Sequence, residues 1–242
     1  PEQDAEVGKI LHETRQGEMA ALGEIPFGRY YGSVDSTPLF IVLAGAYYER
    51  SGDHDFLKVL WPHIQQALHW IDRCGDPAGI GFTTYARQSA DGLVHQGWKD
   101  SHDAVFHADG TAAPGPIALC EVQAYVYRAK RVAADMARIL GDSHQVDRLL
   151  KEAEALRDRF EQAFWCEELN VYALAVDGQR RPCRVRSSNA GHCLYGGIAG
   201  QERGLRTARA LLNEEFFNGW GIRTIATAEA RYNPMSYHNG SV

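Results

Sequence analysis

The sequence predicts an all-α protein of the α/α toroid class, in which antiparallel helix pairs stand side by side. Apolar residues recur at three- and four-residue steps along most of the 242 residues, which is typical of helices with one buried face. Short turns at 51–53 and 141–143 alternate with long polar loops. Because short turns join antiparallel helix pairs, we expect the long loops to collect at one end of the stack.

Caps and turn residues indicate where several helices begin. Thr37 followed by Pro38 offers an N-cap and a proline at the first helical position, and Asp53 and Ser143 can each cap a later helix. The helices are predicted over residues 6–22, 37–50, 54–71, 116–140, 143–165, 190–200 and 202–213, with short strands in the loops over 81–85 and 171–176.

Composition favours one globular domain that spans residues 1–242. Hydrophobic residues make up 45% of the chain, enough for a sizeable core, and no Pro/Gly/Ser-rich linker divides it. The net charge of −6 argues against nucleic acid or an anionic membrane as a partner, because both require a basic face. No apolar run is long enough to predict a membrane-spanning helix.

The residue pattern predicts no metal and no cofactor. The five cysteines are widely spaced without a CxxC pair, which indicates neither a zinc site nor a disulfide framework and favours the reducing cytoplasm. The loop histidines lack the i, i+4 pairing of a helical metal motif, and the sequence has no glycine-rich phosphate loop.

Three polar segments carry the groups that sugar sites use. They span residues 27–36, 85–103 and 233–242, and they are rich in aromatic and polar side chains. Sugar sites need flat aromatic faces and planar polar groups, and glycoside hydrolysis adds two carboxyl groups. Asp35 and Asp100 supply one carboxyl group each to the first two segments.

The same residues also have structural explanations. Asp35 stands ahead of Ser-Thr-Pro and could cap a helix, whereas Asp100 could pair with the nearby Lys99 or His102. Trp98 could fill the core instead of supporting a sugar ring. Residue types alone leave these alternatives open.

Five motifs occur in order along the chain: GSVDSTPLF at 32–40, QGWKDS at 96–101, SNAGH at 188–192, GWGIRT at 219–224 and NPMSYHNGSV at 233–242. Together they resemble the bacterial amylo-α-1,6-glucosidase (glycogen-debranching) family, which is related to the glucoamylase-like toroid glycosidases. The resemblance implies an (α/α)6 six-hairpin toroid with its active site at the mouth formed by the long loops. It also implies inverting hydrolysis of α-glucosidic bonds in glycogen-like or oligosaccharide substrates.

The same resemblance assigns roles to individual residues. Asp100 matches the general acid, which must hold its proton when the substrate arrives, and the apolar flank of Trp98 would favour that form. Lys99 is expected to face sugar hydroxyls or another acid. Glu121 resembles a sugar ligand rather than the general base, which in the family is a glutamate beyond Val242. The implied sugar contacts are Asp35, Arg87, Trp98, Lys99 and Glu121, with Asn189, His192, Tyr237, His238 and Asn239 as further lining.

The chain is predicted to be a fragment that lacks C-terminal helices, because its predicted helices fall short of the twelve in a complete (α/α)6 toroid. An incomplete toroid would expose helix faces that an oligomer could cover. Two other functions stay open. One is a non-catalytic carbohydrate-binding toroid, and the other is a sugar epimerase or polysaccharide lyase that uses loop histidines or tyrosines as bases. A carbohydrate is the predicted partner in each case.

Overall fold

The described part of the chain is built from seven helices, with short strands in the loops. The computed structural model describes residues 2–24, 28–77 and 79–242, and Phe27, at the start of the first polar segment, lies outside them. The helices are α1 (Glu18–Ala21), α2 (Ser36–Ser51), α3 (His54–Arg73), α4 (Cys120–Ile139), α5 (Ser143–Ala163), α6 (Asn189–Gly196) and α7 (Gln201–Leu211). The strands are β1 (Glu13–Thr14), β2 (Arg29–Tyr30), β3 (Ala118–Leu119), β4 (Trp165–Cys166), β5 (Val171–Tyr172), β6 (Ala175–Val176) and β7 (Pro182–Cys183). The predicted all-α class is confirmed.

Helix α4 is the centre of the fold. It packs against α2, α5 and α6, and its buried side chains lie on most sides of the helix. Two glycines permit the closest helix contacts: Gly45 of α2 faces Val132, and Gly196 of α6 lies against the backbone of Ala124. A Cβ atom at Gly196 would stand 2.7 Å from the Ala124 carbonyl oxygen. The α4–α6 crossing therefore requires a residue without a side chain at this position.

The predicted helix over 6–22 is wrong. Only Glu18–Ala21 is helical there, because Gly8 and Gly17 take positive φ values of 84° and 110° that a right-handed helix does not allow. Residues 13–14 instead pair antiparallel with Arg29–Tyr30. Residues 2–24 and 28–35 are therefore mostly irregular and are held by contacts with residues distant in sequence.

Of the predicted helix starts, the cap of α3 agrees with the structure, whereas the starts of α4 and α5 differ. The Asp53 carboxylate accepts from the Phe56 backbone N–H, as predicted, but Asp142 rather than Ser143 caps α5. Residues 118–119 are strand rather than helix, because they pair with Ala175–Val176. The strand predicted over 81–85 is reduced to one bridge, between Tyr85 and Ile117.

The long loops meet at one end of the helices, as predicted. The Val34 N–H donates to the Gln96 carbonyl over 2.8 Å, which joins the first polar segment to the second. The Ser188 N–H donates to the Thr224 carbonyl over 3.1 Å, and the Thr224 N–H donates to the Ser241 carbonyl over 2.8 Å. Backbone hydrogen bonds thus connect loops that are distant in sequence.

Across the described residues, each helix is either too short or too polar to span a lipid bilayer.

We predict that Gly196→Ala lowers the free energy of unfolding by about 1–3 kcal/mol, because the new methyl group forces α6 away from α4. Urea denaturation measures the change. Gly191→Ala in the same helix is the matched control. Its Cβ would meet only a Leu211 methyl carbon at 3.3 Å, which a side-chain rotation relieves, so we expect a change within about 1 kcal/mol. Equal effects of the two substitutions would contradict the close-contact explanation.

Candidate active site

Helices α4 and α6 face each other through two polar pairs. Glu121 and Tyr125 lie one turn apart on α4, and Asn189 and His192 lie one turn apart on α6, so each pair shares a helix face. The Asn189 side-chain N–H donates to Glu121 Oε1 over 2.8 Å. The Tyr125 hydroxyl and His192 Nδ1 are hydrogen-bonded at 2.7 Å. The two helices therefore present one polar strip beneath the loops.

Lys99 extends this strip into the second polar segment. Its side chain is almost fully buried, with 3% of the residue exposed. Its ammonium donates to Ser187 Oγ over 3.0 Å and to the Thr224 carbonyl over 2.6 Å. Ser187 in turn donates to the Asn189 side-chain carbonyl. A continuous hydrogen-bonded chain thus runs from Lys99 through Ser187 and Asn189 to Glu121.

Two opposite charges are buried in this network. Burial raises the pKa of Glu121 to about 7, although its hydrogen bonds and the positive Lys99 oppose that shift. Burial lowers the pKa of Lys99 to about 7, and the negative Glu121 opposes it. Each charged form therefore depends on the other near neutral pH.

Trp98 forms a partly exposed wall above the strip. Its residue exposure is 37%, so the alternative that it fills the core does not hold. Its ring centroid lies 5.9 Å from that of His192 and 6.0 Å from that of His238. The Lys99 ammonium lies 5.1 Å from the Trp98 ring. One part of the indole is thus held by neighbours while another stays open to a ligand.

The Asp100 carboxyl group lies at the surface beside this wall. Its side chain is 43% exposed, and Asp100 Oδ1 is 3.8 Å from His238 Nδ1. His238 is nearly buried, and the Ser101 backbone N–H donates to its Nδ1 over 3.2 Å. Burial lowers the pKa of His238, which favours the neutral imidazole. The second and third polar segments therefore meet at Asp100.

Asp35 brings the first polar segment to the same place. Burial raises the pKa of Asp35, although the Ser33 hydroxyl, which donates to it over 2.6 Å, opposes the shift. Burial lowers the pKa of His192, and the negative charge of Asp35 opposes that change. Asp35 occupies the N-cap position of α2 without making a side-chain capping bond. Its carboxyl group therefore belongs electrostatically to the site rather than to the helix end.

The remaining predicted residues lie at different distances from this centre. Tyr237 is 79% exposed, and its ring stands 4.4 Å from that of His238. Asn239 is buried and donates to the Asp103 carbonyl over 3.2 Å, while its side-chain oxygen has no partner among the described residues. Arg87 is exposed, and within the described ranges it has no hydrogen bond to the other predicted residues.

The sequence prediction missed Tyr125, Ser187 and Thr224. The signal for Tyr125 was its spacing, one helical turn after Glu121. Ser187 and Thr224 carry no such signal, because Thr224 contributes a backbone carbonyl and Ser187 is one of two adjacent serines. In the described part of the chain, no group of three or more His, Cys, Asp and Glu side chains is placed to hold a metal ion.

The antiparallel helix pairs, with long loops between them, are those of the six-hairpin toroid class. The sequence model of the mannosylglycerate hydrolase MGH1-like glycoside hydrolase domain matches residues 7–242, so the chain belongs to that family. No curated protein sequence matches the chain.

Solved structures confirm the predicted toroid class as a partial (α/α)6 fold. The GH63 mannosylglycerate hydrolase from Thermus thermophilus in complex with glucose is 15% identical, with a TM-score of 0.70 over 96% of this chain and 62% of that chain. The GH78 family rhamnosidase of a Bacillus species is 18% identical, with a TM-score of 0.59 over 79% of this chain and 19% of that chain. The chain thus spans about three-fifths of the first relative's length and about one-fifth of the second's.

These findings place the chain in a glycoside hydrolase family, in agreement with the glycosidase class that the sequence motifs predicted. The family they show is the mannosylglycerate hydrolase MGH1-like domain, so the narrower amylo-α-1,6-glucosidase assignment stays a prediction. The roles of the individual site residues also stay predictions.

We predict that Glu121→Gln removes a pH-dependent loss of stability. The pKa of Glu121 in the folded chain, about 7, lies above its ordinary value of 4.5. The folded state therefore prefers the protonated acid, and its stability falls as pH rises from about 4.5 towards 7. Over that window we expect wild type to lose on the order of a few kcal/mol relative to Glu121→Gln, whose amide oxygen can still accept from Asn189. Urea denaturation across the pH range measures this, and parallel stability curves would contradict it.

Proposed function

We propose that this domain carries the general acid of an inverting glycoside hydrolase, with Asp100 protonating the departing glycosidic oxygen. The observation that carries the proposal is the position of Asp100. Its carboxyl group is partly exposed, lies two residues after the partly exposed Trp98, and is 3.8 Å from the buried imidazole of His238. The family match supports hydrolysis over the epimerase, lyase and non-catalytic alternatives.

The neighbours of Asp100 suit this chemistry. The Trp98 face offers an apolar surface for a sugar ring, and Asp35 and His192 offer polar groups for its hydroxyls. Inversion also requires a second carboxylate about 6.5–9.5 Å from the acid, with a water between them. Glu121 does not suit that task, because it is fully buried and bonded to Asn189. The motif resemblance assigns the base role to a glutamate other than Glu121.

A pocket of about 540 Å³ is lined by the residues that follow Asp100 closely in the chain, His102 and Asp103. Its lining includes Arg231, whose guanidinium donates to the carbonyls of Gly110 and Asp103 over 2.9 Å each. The guanidinium carbon also lies 5.1 Å from the Phe106 ring centroid. Among the described side chains, no carboxylate lies within ion-pair distance of Arg231. A fixed cation thus lines this pocket, and the Asp103 carboxyl group, which also lines it, is not ion-paired with that cation. The pocket is lined by His102, Asp103, Ala112, Arg231, Asn233 and Ser236.

This pocket favours a small α-glycoside with an anionic leaving group as the substrate. Arginine binds carboxylates through charge-assisted hydrogen bonds, and a structural relative has been solved with Tris and D-glycerate as a mannosylglycerate hydrolase. A branch point of glycogen, the substrate implied by the motif resemblance, carries no charge for Arg231 to recognise. We therefore place mannosylglycerate-like glycosides ahead of α-1,6-linked glucans.

We predict that Asp100→Asn, in the natural polypeptide that contains this chain, lowers turnover of an α-glycoside with a poor leaving group by about 10²–10⁴-fold. Turnover of the matching α-glycosyl fluoride should fall far less, because fluoride departs with little need for a proton. Sugar binding, measured by calorimetry, should stay within about threefold. Steady-state kinetics on both substrates provides the comparison.

Asp109→Asn is the matched control, since Asp109 is an exposed carboxylate in the same loop. It should leave both rates within about twofold. Near-normal turnover of the poor leaving group by Asp100→Asn would remove Asp100 from the acid role. Proton NMR of the first product tests inversion: a β-sugar supports it, and an α-sugar contradicts it.

We predict that Arg231→Gln raises KM for mannosylglycerate by about 10–100-fold and changes KM for methyl α-mannoside by less than about threefold. A hydrogen bond to a charged group contributes about 1.5–3 kcal/mol. Only mannosylglycerate has a carboxylate that Arg231 could bind, so only its binding should weaken in the variant. Arg209→Gln, on the surface of α7, is the control. An equal rise in KM for both substrates would show that Arg231 stabilises the fold and does not recognise the leaving group. A wild-type preference for isomaltose-type α-1,6 glucosides would support the debranching specificity instead.

A further inference from the structure

Exposure alternates along the segment that carries the proposed acid. Trp98 and Asp100 are partly open, whereas Lys99 between them is almost fully buried. Gly97 allows the start of the segment to lie close to β3, because a Cβ there would stand 2.4 Å from Leu119 Cδ1. The segment thus presents two side chains outwards and anchors the one between them inwards.

The anchor joins three parts of the chain that are distant in sequence. Ser187 precedes α6, and its hydroxyl accepts from Lys99. The Thr224 carbonyl, in the loop after α7, accepts from Lys99 and from the Ser188 N–H. The Thr224 N–H and hydroxyl bind the backbone of the segment that follows His238, through the Ser241 carbonyl and the Gly240 N–H. The Lys99 ammonium therefore lies where the segment that carries Asp100 meets the loops around Ser187, Thr224 and Gly240.

We propose that Lys99 is a positioning residue, whose ammonium clamps the 97–101 segment onto Ser187 and Thr224 and so sets the place of the Asp100 carboxyl group. The inference rests on the proposed acid role of Asp100. It differs from the sugar-contact role that the motif resemblance implies, because the ammonium is turned away from solvent and bonded to protein atoms. Proton transfer depends steeply on distance, since a misplacement of about 1 Å can lower a rate about 10²-fold.

The test is Lys99→Met in the natural polypeptide that contains this chain, assayed on a poor-leaving-group α-glycoside and on the α-glycosyl fluoride. Methionine keeps the length of the side chain and removes its donors. We expect turnover of the first substrate to fall about 10²-fold and that of the fluoride less than about tenfold, with both KM values within about threefold. Lys99→Arg, which keeps the charge, should restore part of the loss.

Lys130→Met is the matched control, because Lys130 is another buried lysine, paired with Asp72 and Glu152 between α3, α4 and α5. It should lower the melting temperature and leave the ratio of the two rates unchanged. An equal loss on both substrates with a raised KM would make Lys99 a sugar ligand and overturn the proposal. A lower melting temperature with unchanged kinetics would overturn it too.

Asp100→Asn, assayed in parallel, separates the two inferences. If it discriminates between the substrates and Lys99→Met does not, only the positioning role fails. If Asp100→Asn treats both substrates alike, the acid role fails and the positioning role fails with it. Discrimination by both variants supports both.

Discussion

The contact between Gly196 and the Ala124 backbone sets the distance between α4 and α6, and the candidate site depends on that distance. Both polar pairs bridge this crossing, one from Glu121 and one from Tyr125. Packed helices usually stand about 8–10 Å apart, and the missing side chain at Gly196 allows α6 to approach α4 closely at this crossing. Separating the helices would break the two hydrogen bonds together, because they lie one turn apart on the same two faces.

Burial of opposite charges behind the site is the second constraint. An isolated ammonium or carboxylate in a protein interior is strongly unfavourable, and it is tolerated where hydrogen bonds and a partner charge compensate. Lys99 has two protein acceptors and faces Glu121, which accepts from Asn189. The groups that need to meet a substrate, Asp100 and Trp98, lie on the open side of the same segment. The buried hydrogen-bonded network can therefore fix the position of the segment, while Asp100 and Trp98 stay accessible to a ligand.

Local sequence signals predicted the elements that local forces determine. Asp53 caps α3 as expected, and the apolar period of α3 matches its buried face, because caps and periodicity act within a few residues. The first predicted helix was wrong, because Gly8 and Gly17 adopt positive φ values that interrupt it. The start of another predicted helix is the strand β3 instead, because it pairs with β6, more than fifty residues away in the sequence. The residues of one segment alone do not reveal a strand partner that lies so far away in the sequence.

The motifs predicted which residues lie close together, but they did not predict the direction in which each side chain points. They brought Asp35, Trp98, Glu121, His192 and His238 to one place, as the structure shows. They did not indicate that Lys99 points inwards, because its acceptors are 88 and 125 residues along the chain. A side chain on a loop has no period to fix its direction, so its orientation follows from whichever buried acceptors the fold supplies.

The positions of Asp100 and Arg231 connect protonation with recognition of the leaving group. Arg231 binds the loop that carries Asp100, because its guanidinium donates to the carbonyl of Asp103, three residues after Asp100. In the proposed reaction the proton and the leaving group meet at the same oxygen, so the acid and the leaving-group pocket need a fixed separation. A rigid guanidinium that holds the acid's own loop provides that separation. An anionic leaving group could pair with this fixed charge, whereas a neutral glucan has no charged group that would do so.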